Sequence, residues 1–137
     1  MKKVIVIFAI IFVGITSACA QGSSTISKTG KGTSVLTPNY KLFPTQNMWV
    51  FLKLDTCQGY VTMVQYSMED KNRFEIPIKY YPLATGADAI PGRFNLYPTQ
   101  NMWTFILLDE IDGRTWQVQW STSGNEGIMP INDTPSK

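Results

Sequence analysis

The side chains best placed to do chemistry are two aspartates that recur at a fixed spacing. Asp55 and Asp109 lie 54 residues apart, and each follows an apolar run. Two carboxylates that face one cleft can share the acid, base and nucleophile roles of glycoside hydrolysis. An aspartate directly after a strand also accepts backbone N–H groups of the turn that follows. The turn role is the stronger interpretation, and a small hydrolase with paired carboxylates is the alternative.

Other catalytic and metal chemistry has little support in the sequence. There is no histidine, which excludes Ser-His-Asp and Cys-His catalysis and most zinc sites. The run Asp109–Asp112 carries three carboxylates but lacks the spacing of a calcium loop, and the first repeat offers only Asp55 there. Cys57 has no predicted partner base and aligns with Ile111, so we expect a small, partly buried apolar side chain. We therefore predict no enzymatic activity, no cofactor and no metal.

A second polar feature is the hexapeptide Pro-Thr-Gln-Asn-Met-Trp, which occurs at 44–49 and again at 98–103. Amide side chains beside a tryptophan would suit the binding of a sugar or a peptide edge. The same residue types also cap turns and satisfy loop backbone, and that role is the stronger expectation. The candidate ligand-binding residues are Gln46, Asn47, Trp49, Gln100, Asn101 and Trp103.

The hexapeptide belongs to a longer internal duplication. Residues 40–67 and 94–121 align at an offset of 54 with 14 identities in 28 positions. With a one-residue gap, Ile76–Ile78 also matches Met129–Ile131. A single domain at 40–131 is therefore predicted, made of repeats at 40–78 and 94–131 and a linker at 79–93.

Each repeat is predicted to form four strands. The apolar runs Met48–Leu54 and Met102–Leu108 are short and aromatic, which indicates strands buried on both faces. Asp-to-Gly segments that end at Gly59 and Gly113 predict hairpin turns. In the next strand, apolar and polar residues alternate, so one face should be exposed. Trp116, Val118 and Trp120 point to one side in the second repeat, and the matching residues of the first repeat are Thr62, Val64 and Tyr66.

These patterns predict an all-β fold. It consists of two tandem four-stranded antiparallel meanders, packed as a small sandwich or barrel with pseudo-two-fold symmetry, because one such meander cannot bury its apolar face alone. Pro77 and Pro130 indicate that the fourth strands lie at sheet edges. The predicted core is aromatic and comprises Trp49, Phe51, Trp103, Phe105, Trp116 and Trp120.

Residues 1–20 have the features of an export signal. Lys2 and Lys3 precede an apolar run, and Ala18-Cys19-Ala20 fits the small-residue cleavage rule, which predicts Gln21 as the new N-terminus. The alternative is lipidation of Cys19, which would anchor the protein to a membrane. Residues 21–39 are rich in Ser, Thr and Gly and are predicted to be a flexible tether, and 132–137 a flexible tail.

The charge balance limits the partners. The sequence has 12 Lys and Arg against 10 Asp and Glu, and Lys2 and Lys3 lie in the leader, so the mature chain would carry no net charge. Nucleic-acid binding needs a clustered basic excess, so we expect no such partner. We predict an exported protein, periplasmic, at the cell surface or secreted, with membrane contact only through a lipid anchor. Its expected partner is a glycan, a peptide, a protein or a second copy of itself.

Two resemblances accompany this interpretation. The pattern Trp-x-Phe-x-x-Leu-Asp…Gly-x-x-Trp-x-Val at 103–118 resembles the hairpins of β-propeller blades of the quinoprotein type. The segments Gly92–Leu96, Asn101–Phe105 and Asp112–Gln119 resemble small exported proteins of Bacteroidetes-type bacteria with G-R-F/Y-x-L, N-x-W-x-F and D-G-x-x-W-Q-V-Q motifs. The resemblances imply export and a repeated β fold, and they carry no activity or cofactor.

Overall fold

A computed structural model of the chain describes residues 36–132. The predicted leader, Cys19, most of the predicted tether and residues 133–137 lie outside the described residues. The first sheet consists of β1 (Tyr40–Pro44), β2 (Val50–Asp55), β3 (Tyr60–Gln65) and β4 (Phe74–Pro77). The second sheet consists of β5 (Phe94–Pro98), β6 (Thr104–Asp109), β7 (Thr115–Gln119) and β8 (Gly127–Ile131).

Each repeat forms one antiparallel sheet whose strands follow chain order, and neither sheet closes into a barrel. The all-β prediction of two tandem four-stranded meanders is therefore confirmed. The prolines at 77 and 130 lie in β4 and β8, which are edge strands as predicted. Within residues 36–132 no helix is long and apolar enough to cross a membrane.

The central hairpins form because an aspartate and a glycine enclose each turn. The Gly59 N–H donates to the Asp55 carbonyl at 2.9 Å, and the Gly113 N–H donates to the Asp109 carbonyl at 2.8 Å. Both glycines have a φ of 72°, a conformation that other L-residues adopt at a cost. The Asp-to-Gly segments thus make the hairpin turns that the sequence predicts.

The most apolar strands begin later and are less buried than predicted. β2 starts at Val50 and β6 at Thr104, because the Met-Trp pair that precedes each strand lies in the turn. Val50, Leu52 and Leu54 are buried, whereas Phe51 is only half-buried. Each of these strands therefore has one buried face, and the prediction of burial on both faces is wrong.

The two sheets bury opposite faces of the same repeat. In the first sheet Leu52 and Met63 point into the core, but their counterparts in the second sheet, Ile106 and Gln117, point away from it. In the second sheet the residues that point inward are the counterparts of outward residues in the first. These inward residues of the second sheet are Phe94, Leu96, Phe105, Leu107, Trp116, Val118 and Trp120.

The sheets therefore pack front to back, so that the face of the first sheet meets the non-equivalent face of the second. A two-fold axis would bring equivalent faces together, so this packing differs from the predicted pseudo-two-fold arrangement. The buried residues of both sheets form one hydrophobic cluster. We call the core-facing side of each sheet its inner face and the opposite side its outer face.

The aromatic core prediction holds for half of its members. Phe105, Trp116 and Trp120 are buried, and Trp103 packs against the core while partly buried. Trp49 is exposed, because it lies on the outer side of the first sheet. Aliphatic residues from β2 and β3 provide the first sheet's share of the core instead.

The linker at 79–93 is packed against the first hairpin. The N–H groups of Leu83 and Ala84 donate to the Gln58 carbonyl, and the Gly92 N–H donates to the Thr56 hydroxyl oxygen. Ala84 and Ala89 are buried. The linker therefore fixes where the second sheet begins.

Candidate binding site

The threonine of each hexapeptide builds the turn that follows it. Thr45 Oγ accepts from the Asn47 N–H at 3.1 Å and donates to the Val50 carbonyl at 2.9 Å. Thr99 makes the same two bonds in the second repeat, at 3.1 and 2.9 Å. The duplication has kept this threonine pattern because each turn depends on it.

The asparagines are also part of the turn. Asn47 Oδ1 accepts from the Trp49 N–H, and Asn101 Oδ1 accepts from the Trp103 N–H, each at 3.0 Å. An asparagine carbonyl that bonds the backbone two residues on is a standard turn-forming contact. The acceptor side of these amides is therefore used within the turn, as the stronger interpretation predicts.

The two hexapeptides lie side by side. Gln46 and Pro44 of the first copy and Pro98 and Asn101 of the second line one cavity of about 150 Å³. Gln100 is exposed. The structure thus brings the two segments together at one end of the molecule, but it does not bring the two tryptophans into that cavity.

Trp49 and Trp103 occupy unlike environments. The Trp103 ring contacts the Trp120 ring in a tilted arrangement, with centroids 4.7 Å apart, and Trp103 packs against the core. Trp49 is 47% exposed and Tyr66 is 45% exposed, and the centroids of their rings lie 5.4 Å apart. Phe51 joins this group, with its ring 6.1 Å from that of Tyr66. Of the two predicted tryptophan sites, only the one around Trp49 offers an aromatic surface.

This aromatic surface continues along the strands of the first sheet. Tyr40 and Leu42 pair with Asp55 and Lys53 of β2. Paired residues lie on the same face of a sheet, so Tyr40 and Leu42 share the outer face with Lys53. Both are largely exposed. We define the first outer face as the apolar residues on this side of the first sheet: Tyr40, Leu42, Trp49, Phe51, Val64 and Tyr66.

A cavity of about 270 Å³ borders Trp49 and Tyr66, and amide side chains line the rest of it. Gln65 Nε2 donates to the Asn72 carbonyl at 3.2 Å, and Asn72 Nδ2 donates to Glu69 at 3.2 Å. With Asn47 Oδ1 used by its turn, several polar groups of this cavity already have partners in the protein. The aromatic rings are its most available surface.

Asp55 binds its own turn. Its Oδ1 accepts from the N–H groups of Cys57 at 2.8 Å and Gln58 at 3.0 Å. The residue also borders an outer cavity of about 270 Å³ with Tyr40 and Lys53 among its lining. The carboxylate thus holds the hairpin, which is the turn role predicted from the sequence.

Asp109 makes the same turn contacts and is enclosed as well. Its Oδ1 accepts from the N–H groups of Ile111 and Asp112 at 3.1 and 3.2 Å. Arg93 donates to Asp109 through Nε at 3.1 Å and through Nη2 at 2.9 Å, and Arg114 adds a bond at 3.0 Å. Since Asp109 is fully buried and doubly paired with arginine, it offers no open carboxylate to a cleft.

The arginine contacts set the ionisation of Asp109. Burial, the largest single effect, raises its pKa, but the hydrogen bonds from Arg93, from the backbone N–H groups of Asp112 and Ile111 and from Arg114 together outweigh it. The net result is a lowered pKa for Asp109. The hydrogen bond to Asp109 is also the main reason that the pKa of Arg93 is raised, against the lowering effect of its burial.

The remaining carboxylates near this turn have protein partners too. Asp112 pairs with Arg93 and Arg114 at 2.6 and 3.0 Å, and Glu110 accepts from the Tyr97 hydroxyl at 3.2 Å. Among residues 36–132 no group of three metal-ligating side chains comes together. The segment is thus an arginine-bridged turn.

Cys57 is fully buried and is disulfide-bonded. Burial agrees with the predicted small apolar side chain, although it is complete rather than partial, and the bond is a feature that the sequence interpretation does not include. The other cysteine of the sequence, Cys19, lies outside the described residues.

Two sets of residues were missed in the sequence. Tyr66, Tyr40 and Leu42 carry the exposed surface, and a signal for them was the lysine at 53, which marks that side of β2 as outer. Arg93 was missed because its contact with Asp109 depends on the register between β5 and β6.

Comparison of the chain with protein-family models, with curated proteins and with solved structures finds no match.

Proposed function

We propose that the chain is an exported, non-enzymatic binding module and that it binds a protein partner through the first outer face. The observation that carries the proposal is the exposed pair Trp49 and Tyr66, which continues into Tyr40 and Leu42 on the same side of one sheet. Contiguous exposed apolar surface on a soluble domain is typical of interaction sites. Aromatic residues are also enriched at the centres of protein interfaces.

A protein surface suits this face better than a sugar does. A sugar site needs several oriented polar groups beside its aromatic ring. Around Trp49, contacts within the protein use Asn47 Oδ1, Gln65 Nε2 and Asn72 Nδ2. A flat apolar partner would instead cover the rings and Leu42 without competing for those bonds. A glycan ligand is the second candidate, favoured by the amide lining of the cavity at Trp49.

The paired-carboxylate hydrolase remains the alternative from another class. Glycoside hydrolysis needs two carboxyl groups that flank a bound substrate. Asp109 is enclosed and held by Arg93 and Arg114, which argues against such a role. Export is supported by the basic, apolar and small-residue order of residues 1–20, with either cleavage before Gln21 or lipidation of Cys19.

The test compares the wild type with a Trp49→Ala/Tyr66→Ala variant and with Tyr80→Ala, which removes a largely exposed tyrosine of the linker. The probes are immobilised copies of the protein, a library of extended peptides, and cell-wall and dietary oligosaccharides. Wild type and Tyr80→Ala should bind a protein or peptide probe alike. The double variant should bind at least about tenfold more weakly.

Three other results would overturn this proposal in different directions. Binding of oligosaccharides alone would reassign the site to a glycan. Hydrolysis of an oligosaccharide that Asp55→Asn abolishes would establish the enzyme alternative. Equal binding by the double variant would place the binding surface elsewhere.

A further inference from the structure

We propose that the partner of the first outer face is the outer face of the second sheet in another copy of this chain. Chains would then associate head to tail, in the same front-to-back packing that joins the two sheets within one chain. This inference rests on the proposed function, because it names the protein that the first outer face binds.

The first outer face consists of positions whose counterparts in the second repeat are buried or pack against the core. Leu42 is 60% exposed, whereas its counterpart Leu96 is 2% exposed. Tyr40 is exposed and its counterpart Phe94 is fully buried. The side chains of the first outer face therefore match, type by type, those that the second sheet already packs onto the first.

The outer side of the second sheet shows the converse relation. Ile131 is 46% exposed, whereas its counterpart Ile78 is 6% exposed in the core. Tyr97 and Met129 are exposed, and their counterparts Phe43 and Ile76 pack against the core. We define the second outer face as the apolar residues on this side of the second sheet: Tyr97, Ile106, Leu108, Met129 and Ile131.

Each outer face is thus equivalent to one of the two faces that already pack together within the chain. Within a chain, the inner face of the first sheet receives the inner face of the second. Between chains, the second outer face, equivalent to the inner face of the first sheet, would receive the first outer face of the next copy. The proposed interface continues an interface that is present in the fold.

The charges of the two outer faces permit this contact. Every strand residue that points outward on the second sheet is uncharged, including Gln117 and Thr104. The first sheet places Lys53 on its outer side, at the position of buried Leu107, and Glu75 forms an ion pair with it. The strand residues of the second outer face therefore bring no charge to meet that ion pair. The carboxylate beside this face, Glu110, accepts a hydrogen bond from the Tyr97 hydroxyl.

The two faces differ, so the contact is heterologous. Such contacts do not end at a dimer but generate rings when the rotation closes and open chains when it does not. A symmetric dimer would instead pair a face with itself. A head-to-tail contact and a symmetric contact can therefore be distinguished by disabling one face at a time.

The test uses the full mature protein and one charge on each face. Leu42→Glu disables the first outer face and Met129→Glu disables the second, and both positions are exposed, so the folded circular-dichroism spectrum should persist. Tyr80→Glu is the control on the linker. Sedimentation velocity should show concentration-dependent assemblies for wild type and Tyr80→Glu, and monomers for each face variant alone.

Mixing the two variants is the decisive step. Leu42→Glu keeps a sound second outer face and Met129→Glu keeps a sound first outer face, so the mixture should form one capped 1:1 dimer. Assembly by Met129→Glu alone, with no 1:1 complex of the two variants in the mixture, would overturn the head-to-tail mode in favour of a symmetric contact of first outer faces.

Failure of this inference is distinguishable from failure of the proposed function. A wild type that stays monomeric into the high-micromolar range, yet binds a peptide or other protein in a Trp49- and Tyr66-dependent way, would overturn only the self-association. A wild type that neither assembles nor binds any probe would overturn both.

Discussion

Tyr66 and Trp120 occupy the same position of the two repeats and donate the same hydrogen bond, yet Trp120 lies on the inner face of its sheet and Tyr66 on the outer face of its own. The Tyr66 hydroxyl donates to the Met48 carbonyl at 2.5 Å, and Trp120 Nε1 donates to the Met102 carbonyl at 2.9 Å. Trp120 is fully buried, whereas Tyr66 is on the outer side. One sequence position therefore serves as core in one repeat and as surface in the other.

The first prediction concerns this pair. Trp120→Ala should lower the free energy of unfolding by about 3–5 kcal/mol, because it removes a large side chain from the core. Tyr66→Ala should cost no more than about 1 kcal/mol, since the ring is half exposed. Urea denaturation of both variants measures the difference. Equal losses would contradict the inward and outward assignment of the two sheets.

The second prediction concerns the arginines on Asp109. Arg93 is buried, so Arg93→Ala should cost about 3–5 kcal/mol, because it leaves a buried carboxylate without its main partner. Arg114 reaches the same carboxylate from an exposed position, and Arg114→Ala should cost less than about 1 kcal/mol. The same denaturation assay compares them. A larger loss for Arg114→Ala would contradict the central role of Arg93.

The third prediction is a pH dependence. The pKa of Asp109 is lowered from its ordinary value of 3.8, so the ionised carboxylate stabilises the fold above that pH, and this stabilisation is lost as the pH falls through the lower folded pKa. Asp109→Asn should therefore be least stable relative to wild type at neutral pH, and the gap should narrow in acid.

Denaturation midpoints measured from neutral pH into acid test this dependence. Asp70→Asn is the control, since Asp70 lies on the surface and its removal should leave the acid dependence of wild type in place. A gap between Asp109→Asn and wild type that stays constant with pH would show that Asp109 does not contribute in this way.

The fourth prediction uses two glycines with the same backbone angle. A side chain at either position is strained by a φ of 72°, at a cost of about 1–2 kcal/mol. A Cβ at Gly59 would also lie 3.1 Å from Leu83 and 3.2 Å from Phe94, whereas one at Gly113 meets open space. Gly59→Ala should therefore lose about 1 kcal/mol more than Gly113→Ala in thermal or urea unfolding. A reversed order would contradict the packing of the linker on the first hairpin.

The fifth prediction concerns export. Intact mass of the protein recovered from its native host should show a chain that starts at Gln21 or at an acylated Cys19. A full-length chain would contradict the leader. Cys19→Ser distinguishes the two routes, because it prevents acylation and keeps a small residue at the cleavage site.

Strand positions and turn chemistry were accessible from the sequence because they depend on local signals. Asp109 and Gly113 mark a hairpin through their residue types, and Asn47 caps its turn through its own side chain. The choice of the buried face was harder, since β2 is apolar on both sides at Phe51 and Leu52. The outcome depends on which sheet lies opposite, and that is a tertiary relation.

A signal for the inverted faces was present in the aligned repeats. Thr62 aligns with Trp116 and Met63 with Gln117, so polar and apolar residues exchange sides between β3 and β7. A strict two-fold pair would keep the same side apolar in both repeats. This exchange of sides indicates that the two sheets turn non-equivalent faces to the core.

The front-to-back packing also bears on how many units such a chain can hold. A face-to-face pair is complete at two, because each unit has used its only apolar side. Within residues 36–132, Leu42 on one sheet and Ile131 on the other mark an exposed apolar face at each end of the packing. A third unit fused after residue 131, through a segment like 79–93, would meet a surface of the kind that the second unit meets now. Lengthening the chain by whole repeats would therefore use the same type of contact that joins the two sheets now.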